Sequence, residues 1–240
     1  MSTGIFRASS SIPRGWGRQG AIALLLGLLL VARAGPAQAA CHTCTVTDAA
    51  DLVSVLTLID SDPGHSYVII FANDITLDPT TTLPVINSTS NVTINGQGFT
   101  LDGGSVQRGF FVYQGAVAIN NLTIQNAVAQ GGTGGGGSAP GGGGGGLGGA
   151  LFVASGASLS VSNVTLTGNS ALGGAGANAT GVDSSGGGGG MGGNGAGSSS
   201  SGFSGGGGGL GVGADGGSGS LTSPGRDGAA GIALRTGGSG

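Results

Sequence analysis

The stretch Arg108–Asn126, RGFFVYQGAVAINNLTIQN, returns between Gly149 and Asn169 as GALFVASGASLSVSNVTLTGN, and this duplication restricts the fold more than any other feature. Phe111-Val112 corresponds to Phe152-Val153, Gly115 to Gly156, and Asn121-Leu122-Thr123-Ile124 to Asn163-Val164-Thr165-Leu166. The offset is 41 residues up to the glycine and 42 after it, which places one extra residue behind the second glycine. Each copy is a run of short alternating strands broken by Gly or Asn. A unit this small cannot bury its apolar edge alone and must stack on a neighbour, as one coil of a β-solenoid does.

Upstream segments fit the same unit. Tyr67–Phe71 is almost continuously apolar, the pattern of a strand buried on both faces. Asp74–Leu77 and Asn91–Ile94 alternate with period two, and Asn95-Gly96-Gln97-Gly98 and Asp102-Gly103-Gly104 mark turns on either side of Phe99-Thr100-Leu101. Asn and Gly suit such corners because they tolerate left-handed backbone angles. One helix is expected, over 48–60: Asp48 caps it, Asp51 favours the helix dipole, and Leu52, Val55, Leu56 and Ile59 form one apolar stripe. Its expected role is to cover the open first coil.

The run Asn91–Gly104 (NVTINGQGFTLDGG) resembles the recurring opening of right-handed pectin-lyase-like β-helices. RGFFVYQGAVAINNLTIQNAVAQGG followed by GGGGGGLGGALFVASGASLSVSNVTLTGNSALGGAG resembles bacterial autotransporter passengers and polymorphic outer-membrane proteins. The likeness covers roughly 45–177 and implies an all-β chain: a right-handed parallel β-helix with a short N-terminal cap helix and Gly-rich insertions. It also implies an outer-membrane translocator barrel as partner, yet no alternating ten-residue barrel strands follow Asn169. The expectation is a truncated passenger or a chain secreted without its own translocator.

Glycine sets the second half apart, with 46 of the 59 glycines at or beyond Gly131. The tract 131–149 is expected to be an insertion at one corner, a long surface loop between two coils, and 178–240 a largely flexible Gly/Ser-rich segment with too little apolar surface to offset its ordering entropy. Leu210–Gly217 departs from the calcium-binding nonapeptide at two positions and occurs once.

Residues 1–39 read as an export signal: an Arg-bearing start, the apolar core Ala21–Ala32, and small residues at Ala37, Ala39 and Ala40 for cleavage. Removing it leaves three Arg against ten Asp, a net charge of −7, which disfavours nucleic acid as a partner. Cys41 and Cys44 then follow in C-H-T-C. A redox motif needs a helix start where Thr45-Val46-Thr47 reads as strand. A metal site has two thiolates and His42 without a second cluster. A local disulfide in an oxidising compartment fits best.

Catalysis finds little support in the residue pattern. Glycan hydrolysis needs two carboxylates flanking the scissile bond, and lyase chemistry needs clustered acids and a groove base. Asp74, Asp78 and Asp102 read as turn or strand-end residues, Arg108 is the lone basic residue of the expected coils, and His42 and His65 lie near the cap. The expected function is that of a non-catalytic, exported, adhesin-like protein at the bacterial outer-membrane surface or outside the cell. It is expected to meet a host surface, a neighbouring cell or a matrix, with no metal, no catalytic residue and no small-molecule cofactor. A secreted carbohydrate-active β-helix enzyme, a polysaccharide lyase or hydrolase, is the alternative.

Overall fold

In the computed structural model the described residues are 42–179, 185–197, 205–209 and 215–217. They are mostly strand, with a single helix, and the sheet is parallel throughout and curled like half a barrel.

Strand β1 (Thr43–Val46) leads into helix α1 (Ala49–Ser61), then β2 (Ser66–Phe71), β3 (Ile75–Thr76), β4 (Ile86–Asn95), β5 (Thr100–Asp102) and β6 (Phe110–Gln125). β7 (Val128–Gln130), β8 (Leu151–Thr167) and β9 (Ser170–Leu172) complete the strands. Thr43 lies opposite Val68, Ser66 opposite Asn91, and Asn91 opposite Ala116, so each rung returns after 25 residues (68 − 43, 91 − 66, 116 − 91). From β6 to β8 the return is 41–42 residues (Phe110 to Leu151, Gln125 to Thr167), because the Gly-rich tract intervenes.

The constant register stacks like on like. Cys44, Ile69, Ile94, Ile119 and Val161 face one another rung by rung. The first four are at most 4 % exposed, whereas Val161 is 55 % exposed, since among the described residues β8 has no strand on its far side. Each isoleucine fully buried in such a column contributes about 1.5–3 kcal/mol.

A single backbone angle turns the sheet at its corner. β6 pairs with β4 up to Asn120 and with β5 from Thr123, and between them Asn121 sits at φ 53°. Before it the buried residues are Val117 and Ile119; after it they are Leu122 and Ile124. One left-handed residue therefore reverses which parity of the strand looks inward. Asn163 repeats the conformation in β8, and Asn126 (φ 50°) and Gly168 (φ 63°) form the next corner.

Helix α1 begins one residue beyond the expected Asp48, which is its N-cap and accepts from the Asp51 amide at 2.9 Å. The Asp51 carboxylate accepts in turn from Thr47 Oγ1 (2.6 Å) and Thr47 N (3.0 Å), bonds that hold its pKa below the ordinary carboxylate value. Leu52, Val55, Leu56 and Ile59 are the buried stripe, set against β4 and β1.

Three expectations need correction. β2 is not buried on both faces: Tyr67, Ile69 and Phe71 point into the core, while Val68 and Ile70 are partly exposed. The extra residue of the second repeat enters before the glycine, because Val112 faces Val153 but Gln114 already faces Gly156. The two glycines are thus not equivalent. Gly115 has φ 90°, and a β-carbon there would strike the Ser88 carbonyl, whereas the space around Gly156 is open.

The third correction concerns the insertion 131–149, which is no free surface loop. Gly132 and Gly135 donate to Gly190 O and Gly187 O, Gly141 and Gly144 to Gly135 O and Gly132 O, and Gly186 and Gly189 to Ala139 O and Gly142 O. Gly187 and Gly190 bond to Ala196 O and Gly193 O, and Gly205 and Gly208 to Ser185 O and Gly188 O. In every pair the donors are three residues apart. An amide that recurs in the same direction every third residue belongs to a chain with three residues per turn, the symmetry of polyproline II. The chains approach too closely for side chains: a β-carbon at Gly132 would meet the carbonyl of Gly193, and one at Gly186 that of Gly135. The expectation of flexibility over 178–240 falls largely outside the described residues; the described pieces belong to this bonded array.

Candidate functional site

The side chains with most chemical capacity converge where β1, α1 and β2 meet. His42 immediately precedes β1, Asp62 is the C-cap of α1, and His65 immediately precedes β2. The backbone locks the two histidines onto successive rungs: Val68 N donates to His42 O at 2.8 Å, and Asn91 N to His65 O at 3.1 Å. Their rings stack with centroids 5.1 Å apart, and both meet the edge or face of Tyr67, at 5.3 and 6.4 Å.

Asp62 is held from the opposite side. Tyr67, only 1 % exposed, donates its hydroxyl to Asp62 Oδ2 (2.7 Å) and to the Asp62 carbonyl (3.0 Å). Burial, then the bond to Asp62 and its charge, push the Tyr67 phenol up to about 12, so it stays a donor at physiological pH. Asp62 Oδ1 faces His65 Nδ1 at 3.4 Å. One ligand atom from each of His42, Asp62 and His65 lies within 4.8 Å of the others. Two imidazoles and a carboxylate suit a borderline divalent ion.

Cys44 takes no part in that cluster. It points into the core, 4 % exposed, while His42 is exposed, and there is no free cysteine among the described residues. Cys41, the other half of the expected disulfide, lies outside the described residues, as do Ala37, Ala39 and Ala40 of the expected cleavage site.

The carboxylates weighed for glycan chemistry are engaged locally. Asp74 Oδ1 accepts from Thr100 N at 2.8 Å, and Asp78 Oδ1 from Thr80 N and Oγ1, both at 2.7 Å. Asp102 accepts from Gly104 N (2.8 Å), Gln125 Nε2 (2.7 Å) and Asn126 Nδ2 (3.1 Å). A groove of about 260 Å³ crosses three rungs along Asn91, Thr93, Ala116, Ala118, Ser158 and Ser160, residues without a carboxylate or an imidazole.

Arg108 is 7 % exposed and spans from the coils to the glycine array: its Nη2 donates to Met191 O at 3.1 Å, and its guanidinium lies 5.9 Å from the Phe111 ring centroid. Burial lowers its pKa. Nη1 has no partner and is closed off from solvent. A cavity of about 390 Å³ is lined by Arg108 itself together with Gln107, Gln130, Thr133 and Asn194.

No family model, curated protein or solved structure matches the chain. What the residues do must be argued from their geometry. Among the described residues, no helix is long and apolar enough to cross a membrane.

The His42–Asp62–His65 grouping escapes a linear reading, because helix α1 separates His42 from the other two. The signal that finds it is positional: one histidine stands just ahead of each of the first two paired strands, β1 and β2.

Proposed function

We propose that the chain is an exported, non-catalytic passenger-like protein: a right-handed parallel β-helix that carries its glycine array to an adhesive or matrix-facing surface. The observation that carries this reading is the 25-residue parallel register that runs from β1 through β2 and the second half of β4 to β6, lengthened between β6 and β8 by the Gly-rich tract. A rigid column with one lateral insertion is the form expected of a spine that presents a side element. The exposed edge of β8, which pairs with no further strand among the described residues and has Val153 39 % and Leu166 52 % exposed, is where a further coil would seat. The glycine array, lacking side chains, offers a partner mostly backbone, which favours extended polymers or a second such array over compact ligands.

The carbohydrate-active alternative is less well supported, because Asp78 and Asp102 are occupied by turn amides and Asp74 by the amide of Thr100 at the start of β5. Two experiments test the proposal. Antibody labelling of intact, unpermeabilised source cells should detect the chain at the surface or in the medium. Beads coated with the full chain should adhere to cells or matrix, and a variant with charged residues at Gly142 and Gly188 should adhere less. A purely intracellular signal, or depolymerisation of acidic glycans by the purified chain, would replace this reading.

A further inference from the structure

We infer that His42, Asp62 and His65 form a site for a zinc-class divalent cation that fastens the N-terminal cap to the first two rungs. No property of the passenger reading enters this inference. Three features of the geometry carry it.

The ligand atoms already lie within 4.8 Å of one another, and tetrahedral zinc with bonds of about 2 Å sets its ligands about 3.3 Å apart. The gap is closed by rotation of side chains rather than by backbone movement, since His42 and His65 are exposed while their carbonyls are fixed to the neighbouring rungs. The two imidazoles face the same side, stacked 22° from parallel. The carboxylate is oriented from behind: Tyr67 binds Oδ2 and leaves Oδ1, on the histidine side, able to bind a metal. A bond from a buried donor to the far oxygen of a ligating carboxylate is the usual outer support of a metal site.

Three protein ligands leave a fourth position open to water. The ion would bridge the start of β1, the end of α1 and the start of β2. The expected consequence is structural. Bound metal adds to stability as the logarithm of the free-ion excess over its dissociation constant, and does so at the end of the sheet where the single strand β1 is the edge.

The test is a calorimetric titration of the purified full chain with Zn²⁺, paired with Co²⁺ absorption spectra and thermal melts with and without Zn²⁺. The expected result is one ion per chain, a Co²⁺ spectrum of nitrogen and oxygen ligands, and a melting temperature raised by Zn²⁺. H42A and H65A should each abolish saturable binding and the metal-induced shift, while their metal-free melts match the parent and so report intact folding. Y67F should bind about 10–100-fold more weakly. Absent Zn²⁺ binding, a thiolate charge-transfer band that assigns the metal to cysteine, or binding that persists in H65A would each overturn the proposal.

Discussion

The Asn163 side-chain amide donates to the Asn121 side-chain carbonyl at 2.8 Å, across two rungs whose asparagines share φ 53°. Asparagine answers two needs at this corner. It tolerates the left-handed angle that lets the strand bend, and its side chain bonds to the same residue of the next coil. Replacing Asn121 with Ala should cost about 1–2 kcal/mol from the backbone angle and a further ~1 kcal/mol for the lost bond. Asn121→Gly should lose only the bond. Urea denaturation of the two variants separates the terms, and equal losses would show that the angle is not the cost.

Asp102 ties the β5 turn to the Asn126 corner. Burial pushes its carboxyl up, but the bonds from Gly104, Gln125 and Asn126 outweigh burial together, so its folded pKa lies below the ordinary 3.8. A lowered folded pKa gives stability that is complete above 3.8 and lost as pH falls through the folded value. Asp102→Ala should therefore destabilise at neutral pH by about 1–3 kcal/mol, by stranding its donors. It should also flatten the acid limb of a stability–pH curve, measured by melts between neutral and strongly acid pH.

Arg108 should be dispensable for stability. A buried guanidinium with one unpartnered nitrogen carries a desolvation cost that its bond to Met191, the one side-chain bond shown among the described residues, offsets poorly. Arg108→Met removes the buried charge while keeping an unbranched side chain and is expected to leave stability unchanged or to raise it by about 1 kcal/mol. A drop of more than about 2 kcal/mol in a denaturant titration would mean that the Met191 bond outweighs the buried charge.

The glycine array should respond to single methyl groups. Gly132→Ala places a β-carbon against the Gly193 carbonyl and must push the neighbouring chains apart, at about 1–3 kcal/mol. Gly142→Ala, where nothing lies within 4 Å, should be silent. Amide hydrogen exchange at Gly187 and Gly190 reads both: protected in the parent and in Gly142→Ala, faster in Gly132→Ala.

What could be read in advance follows from how far apart the cooperating residues lie. Leu52, Val55, Leu56 and Ile59 announce their helix because four residues suffice to show the period. Asn121 and Asn163 announce their corner because the repeat sets them side by side. The register error at Gly156 arose where identity misled: two glycines align as letters, yet only Gly115 has the left-handed angle and the crowding from Ser88. The His42–Asp62–His65 cluster needs the parallel pairing of β1 with β2 before its members become neighbours. The glycine array stays hidden for a different reason. Hydropathy registers side chains, and the order there rests on backbone amides whose partners no residue letter specifies.

The pairing of amides three apart has a genetic consequence. A glycine chain that bonds at Gly187 and Gly190, or at Gly205 and Gly208, presents the same direction again after three residues. Gain or loss of three codons within such a tract restores every donor to an equivalent carbonyl, whereas gain or loss of one or two turns the donors aside. The protein thus imposes a second reading frame on its gene, counted in residues rather than in bases. In repetitive glycine codons, where replication slips readily, it separates the length changes the fold can absorb from those it cannot.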